Sequence, residues 1–368
     1  MKILILSANT GQGHNSCSRA IKEAFERQGD SCEICDSLAF MSEGISKFVT
    51  KLHAGAYRKC PGAFAWGYRT AQKHPAVFGK KSPLYKFFQK GAENLNEYAA
   101  GRDYDIVIAC HVFPAVMLTE AGRLEKLSFK TAFVATDFTR SPTVELSNLD
   151  YYFIPDETLA DEFVIQKITK EKIYSTGIPV QDRYFSCTDK TEAKRLLGVS
   201  EDSRHLMVMC GSMGCGPIEK TALCMRPLLC DGMEVSIICG TNGRLKERLD
   251  KKLGEDRRFH IYGYVDDTSL FMDSADLYLT KPGGISVCEA AVKRLPMIFV
   301  NAVSGCEEYN CSYFVNRGGA VCEAGAGMLA KKSISLLSDD AGLLKMSEAL
   351  AGIIPGNPAE SIRDILKN

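Results

Sequence analysis

Three stretches of the 368-residue chain combine side chains and spacings fit for chemistry. The first is Ser7-Ala8-Asn9-Thr10-Gly11-Gln12-Gly13-His14. An imidazole just after a glycine turn, where a helix begins, is well suited to take a proton from a hydroxyl near neutral pH. The same spacing also suits a histidine that packs or caps at the turn. The second stretch is Lys281-Pro282-Gly283-Gly284-Ile285-Ser286-Val287-Cys288-Glu289. Its two glycines admit a close ligand, the helix start offers N–H groups to a phosphate, and Glu289, one turn in, is placed to accept from a pair of ribose hydroxyls. A solvated helix glutamate is the plainer alternative, although Ala290, Ala291 and Val292 set it beside an apolar face. The third, Ser304-Gly305-Cys306-Glu307-Glu308-Tyr309-Asn310, follows an apolar strand pattern and is expected on the rim of the same site.

These stretches need elements to hold them. Met1 to Leu6 is an apolar run, and after the first glycine turn Cys17, Ala20, Ile21, Ala24 and Phe25 recur at helical spacing. Strand, turn and helix follow again at Ile106–Ala109, and Thr131–Ala135 reads as another buried strand, the alternation of a parallel sheet covered by helices. After Ser175-Thr176-Gly177-Ile178-Pro179-Val180 the pattern stops and restarts at His205–Cys210. There Gly211-Ser212-Met213-Gly214-Cys215-Gly216 follows one strand and Gly240-Thr241-Asn242-Gly243 the next. The expected fold is α/β with two Rossmann-like domains, 1–182 and 183–368, facing across a cleft, with ligands at the carboxyl ends of the strands and a closing C-terminal helix over Ser361–Leu366.

Composition excludes several classes. Lys+Arg 45 balance Asp+Glu 45, which argues against a general nucleic-acid binder. Gly11-Gln12-Gly13 lacks the third glycine of a dinucleotide fingerprint, and no GxxxxGK[ST] is present. The 15 cysteines are odd in number and scattered through apolar runs, as buried thiols of a reducing cytosol would be, and Cys32-x-x-Cys35 has no second pair to make a zinc site. No run reaches the roughly 18 apolar residues of a membrane span, and the opening apolar run is too short for a signal-peptide core, so a cytoplasmic protein with peripheral membrane contact is expected. Charge is uneven, however. Residues 41–90 hold ten Lys/Arg, among them Lys80 and Lys81, against Glu43 alone, together with nine aromatics that include Trp66, Phe87 and Phe88. That composition suits a surface meeting anionic headgroups. A helical core face, or a groove for single strands, is the competing reading.

In order along the chain, Ser7–His14, Thr136-Asp137-Phe138, Ser175–Pro179, Cys210–Gly214 and Thr280–Gly284 resemble the monogalactosyldiacylglycerol synthase and processive diacylglycerol glucosyltransferase group of glycosyltransferase family 28. The resemblance implies a GT-B fold and an inverting, metal-independent transfer of a hexose from UDP-glucose or UDP-galactose to a lipid hydroxyl, that of diacylglycerol, at the inner face of the membrane. It implies no cofactor, because the UDP-sugar is a substrate, and no nucleic-acid partner. His14 matches the general base, with Asp137 as its catalytic companion, and Thr10, Gly11, Gln12 and Gly13 form the loop beside acceptor and diphosphate. Glu289 matches the ribose ligand; Gly211, Ser212, Met213, Gly214, Gly240 and the run Lys281, Pro282, Gly283, Gly284, Ile285 and Ser286 match the donor loops. Tyr264 and Val265 would face the uracil, and Cys306, Glu307 and Glu308 the donor sugar. Cys306 stands where the family usually has Gln, and the family's His or Trp beyond Asp137 is absent from residues 139–144. The only D-x-D, Asp103-Tyr104-Asp105, precedes a strand, so helix ends and loop amides are expected to carry the diphosphate charge. A UDP-sugar epimerase or hydrolase of the same fold, and a non-catalytic lipid- or nucleotide-binding protein, remain the alternatives.

Overall fold

A computed structural model describes residues 1–8, 12–41, 82–300 and 305–368. Thr10, Gly11, Trp66, Lys80 and Lys81 lie outside the described residues. Two six-stranded sheets, parallel throughout, make the frame. The first contains β1 (Lys2–Ser7), β2 (Ser31–Asp36), β3 (Ile106–Ala109), β4 (Lys130–Val134), β5 (Tyr151–Ile154) and β6 (Ile173–Ser175), in the order β2-β1-β3-β4-β5-β6. The second contains β7 (Arg204–Met209), β8 (Met233–Ile238), β9 (Phe259–Tyr262), β10 (Leu277–Thr280), β11 (Met297–Val300) and β12 (Ala320–Glu323), in the order β12-β11-β10-β7-β8-β9. The central strands are apolar without alternation because helices cover both faces: Ile3, Leu4, Ile5 and Leu6 are all buried, as are Leu277 and Leu279. These are the two α/β halves of a GT-B fold.

The chain divides into two compact units. One comprises Met1–Asp182, Val303–Tyr309 and Gly356–Asn368, the other Arg183–Ala302 and Asn310–Pro355. The closing helix, Pro358–Lys367, thus belongs with the first unit and not with the second half of the sequence. Its partner is the Gln12–Glu26 helix. Ala20 and Ala24 present a small-residue stripe to Ala359, which lets the two backbones approach, and the Arg363 guanidinium donates to the Ala24 carbonyl at 3.3 Å. Asn357 caps the helix by accepting from the Ala359 amide at 3.0 Å, with Pro358 at the first position.

Part of the basic aromatic segment is described. The helix Pro83–Ala99 buries Tyr85 and Phe88 against Leu38, Met41, Val116 and Met117. Phe88, expected at a membrane surface, is therefore core at 4% exposure. Phe87 points outward at 42%, between exposed Lys86 and Lys90. Among the described residues no helix is long and apolar enough to cross a membrane.

In the second unit His205 on β7 is fully buried, its ring bridging the Ser236 hydroxyl at 2.8 Å and the Ser274 hydroxyl at 3.0 Å. Burial pushes this imidazole from 6.5 down to about 4. Folding lowers the proton affinity of the ring, so its contribution is complete above pH 6.5 and is lost as pH falls toward 4. The loss amounts to roughly 3 kcal/mol. Thermal unfolding should show the midpoint falling across that window, and less steeply in His205→Gln, which keeps an amide for the serines but does not titrate. An equal slope in the variant would assign the fall to other groups.

Candidate active site

A doubly wound sheet reverses its winding once, and the connections that leave the strands on either side of that point diverge and open a crevice at the carboxyl ends. In the first sheet the reversal lies between β1 and β3. The helix Gln12–Glu26 follows β1 and carries Gly13 and His14 in its first turn. His14 Nδ1 lies 3.0 Å from the Cys110 carbonyl, just past β3, and 3.3 Å from the Thr136 hydroxyl, just past β4. A carbonyl can only accept, so Nδ1 carries the proton and the basic lone pair of the neutral ring is on Nε2. The His111 ring meets His14 edge-on, with centroids 4.7 Å apart. Three strand ends thus hold one imidazole in one tautomer. Asp137, half-buried, adjoins Thr136 in the chain.

His111, the edge-on neighbour of His14, caps a helix of its own. Its Nδ1 accepts from the Phe113 amide at 3.1 Å and opens the helix Val112–Leu124. Neither His111 nor Thr136 stood out as a contact of His14, since both are remote in sequence. The strand ends at Ala109 and Val134 were the only signal that could have brought them together.

In the second sheet the reversal lies between β7 and β10. The turn after β7, Gly211–Gly216, and the turn after β8, Gly240–Asn242, interlock backbone against backbone. A Cβ on Gly214 (φ +56°) would fall 2.1 Å from the Cys239 carbonyl oxygen, and one on Gly240 (φ +57°) would fall 2.2 Å from that of Ser212. The Thr241 amide donates to the Ser212 carbonyl at 2.8 Å, and the Asn242 side chain to the Gly214 carbonyl at 3.0 Å. Chain packing alone thus requires glycine at 214 and 240. Gly211 differs, because its neighbour is the Lys281 side chain.

After β10, Lys281-Pro282-Gly283 leads into the helix Gly284–Val292. Among the described residues no side chain caps this helix, and the first-turn amides of Gly284, Ile285 and Ser286 are placed to meet water or a ligand. Glu289 is 7% exposed, which removes the solvated reading. It lies beside buried phenols: burial first, and then the Glu289 carboxylate, push the Tyr184 phenol well above its usual range and so keep it protonated. Past β9, Tyr264 is 57% exposed and Val265 half-buried, and the Gly240 amide donates to the Gly263 carbonyl at 3.1 Å, tying that segment to the interlocked turns. Cys306, Glu307 and Glu308 open the helix Cys306–Asn316; Glu307 is buried and Glu308 exposed. Contacts group these three with the first unit, whereas the sequence had set them in the second domain with the donor loops. Among the described residues no three His, Cys, Asp or Glu side chains form a metal-binding group.

The comparisons fall into the same two halves. Residues 14–180 match the model of monogalactosyldiacylglycerol (MGDG) synthase, and residues 205–337 that of the glycosyltransferase family 28 C-terminal domain. Similar curated proteins include the processive diacylglycerol beta-glucosyltransferases of Bacillus cytotoxicus and Bacillus mycoides. Each is 26% identical to this chain, with 99% of the chain and 93% of the relative covered. Among solved structures, MurG of Acinetobacter baumannii superposes with a TM-score of 0.66 at 14% identity over 100% of this chain and 99% of its own. The UDP-GlcNAc 2-epimerase of Neisseria meningitidis gives 0.64 at 13% over 100% of both. At such identities the structural likeness establishes the fold alone.

The interlocked turns can be tested by stability. Gly240→Ala should cost about 2–3 kcal/mol, because it combines a left-handed backbone with a clash against a carbonyl. Gly243→Ala, with open space around it, should stay within about 0.5 kcal/mol of the parent or exceed it. Urea unfolding of both variants decides; equal effects would remove the packing account.

Proposed function

The chain belongs to the monogalactosyldiacylglycerol synthase group of glycosyltransferase family 28, and from that premise we propose that it moves glucose from UDP-glucose to the free hydroxyl of diacylglycerol. Glucose is preferred over galactose because the similar curated proteins are named glucosyltransferases. The observation that carries the mechanism is the bond between His14 Nδ1 and the Cys110 carbonyl, which leaves Nε2 as the base.

The acceptor hydroxyl gives its proton to His14 Nε2 as its oxygen attacks the anomeric carbon of the donor. The Thr136 hydroxyl and the Cys110 carbonyl hold the ring while it becomes an imidazolium, and the Asp137 carboxylate supplies negative charge from the same loop. A single displacement from the face opposite UDP inverts the anomeric centre and gives a β-glucoside. The second unit binds the donor, with Glu289 receiving the ribose hydroxyls, the first amides of the Gly284–Val292 helix meeting the diphosphate, and Tyr264-Val265 beside the uracil. Residues 41–90, with Phe87 and its flanking lysines, bring the enzyme to the anionic inner face of the membrane, where its lipid acceptor lies.

His14→Ala should lower glucosyl-lipid formation by about 10²–10⁴-fold and leave UDP binding intact. The check is UDP release in the presence of diacylglycerol vesicles beside calorimetric titration with UDP. A variant with near-normal turnover would overturn the assignment of the base.

A further inference from the structure

We propose that Cys311 and Cys322 are an oxidisable thiol pair, a modification site for peroxides, and that closing it into a disulfide shifts the helix that steadies the loop after β10. The pair itself is independent of the transferase reading; only its effect on UDP binding rests there.

The helix Cys306–Asn316 packs one face on the second sheet. Phe314 on that helix and Phe299 on β11 are both fully buried and meet edge-on, with centroids 6.5 Å apart. Cys311 stands three residues before Phe314, one turn back on the same helix face. Cys322 stands opposite Phe299 in the register of β11 and β12, and residues paired in this way project from the same face of a sheet. The phenylalanine contact therefore brings the two cysteines together, helix against strand, and their thiols are hydrogen-bonded.

Their surroundings differ. Cys322 is exposed on the edge strand of the sheet, whereas Cys311 is half-buried. Burial first, and then Cys322, push the Cys311 thiol up to about 12, so it keeps its proton. An oxidant thus reaches Cys322 first and finds Cys311 behind it. Cys187 and Cys230 are exposed as well, but their thiols donate to oxygens.

The chemistry balances with a peroxide as oxidant. The Cys322 sulfur attacks the peroxide, the O–O bond breaks, and a sulfenic acid forms with release of water or an alcohol. The Cys311 sulfur then attacks the Cys322 sulfur: the S–S bond forms, the S–O bond breaks, and the departing hydroxide takes the Cys311 proton and leaves as water. Two thiols are oxidised for one peroxide reduced, and a dithiol reverses the step by exchange. A disulfide holds its sulfurs at about 2 Å, far inside hydrogen-bonded contact, so closure draws helix and strand together. Asn310, the residue beside Cys311, is fully buried and donates from its side chain to the Pro282 carbonyl at 3.0 Å. Movement of the helix is therefore passed to the loop Lys281-Pro282-Gly283.

The test treats the protein with hydrogen peroxide, alkylates the remaining thiols and digests with trypsin. Cleavage after Arg317 parts the two cysteines, so the disulfide appears as a cross-link between peptides 295–317 and 318–331 that dithiothreitol removes. Cys306 shares the first peptide; the link should vanish in Cys311→Ser and in Cys322→Ser and persist in Cys306→Ser. Hydrogen exchange across residues 281–284 should rise on oxidation of the parent and stay level in Cys322→Ser, and UDP affinity should fall by about 5-fold or more in parallel. Cys311 and Cys322 still open to alkylation after peroxide, or a link that survives in Cys311→Ser, overturns the pair. A link with unchanged exchange at 281–284 overturns the coupling. Reduced parent that binds no UDP contradicts the donor assignment instead, so the failures are distinguishable. Thermal midpoints establish folding, and Cys311→Ala replaces the serine variant if that one does not fold.

Discussion

A parallel sheet covered by helices on both faces must wind outward from its middle in two directions, and everything chemical in this chain depends on where that reversal occurs. Between β1 and β3 it gathers His14, the Cys110 carbonyl and, from the next strand end, Thr136. Between β7 and β10 it gathers the Gly211 turn, Lys281 and the uncapped helix that begins at Gly284. Neither constellation is local in sequence. Each exists because hydrophobic burial fixes strand order, and strand order fixes which loops are neighbours. The hydrogen bond from His14 Nδ1 to a backbone carbonyl then converts position into chemistry, since it decides which nitrogen can act as a base.

The glycines of the second unit divide by cause. Gly214 and Gly240 answer to one another: two turns lie so close that each would drive a Cβ into the other's carbonyl. Gly211 answers to its own backbone, a left-handed φ of +69°, with the flexible end of Lys281 beside it. The two interlocked turns thus form a rigid pair at the carboxyl ends of β7 and β8.

Much of this was legible before any coordinates. The unbroken apolar runs at Ile3–Leu6 and Leu277–Thr280 announced buried parallel strands, and the glycines after them announced turns into helices. His14 could be named from its turn. What sequence could not supply were relations between distant residues: the Cys110 carbonyl and Thr136 that set the tautomer, the capping role of His111, and the closeness of Gly211 to Lys281. The closing helix was seen but placed with the wrong half, because its partner stripe, Ala20 and Ala24, lies more than three hundred residues earlier in the chain. Phe88 was misplaced for a related reason, since alternating exposed and buried aromatics on one helix look alike until the helix has a neighbour.

The account's central claim is that the chain transfers a hexose from a UDP-sugar to the hydroxyl of diacylglycerol. The most direct measurement is mass spectrometry of the lipids formed when the protein meets anionic vesicles containing diacylglycerol and an equal mixture of UDP-glucose, UDP-galactose and UDP-N-acetylglucosamine. The account predicts diacylglycerol bearing an added hexose, and with single donors a product from UDP-glucose in β linkage. Release of UDP with no change in lipid mass, or no release from any of the three donors, would contradict it.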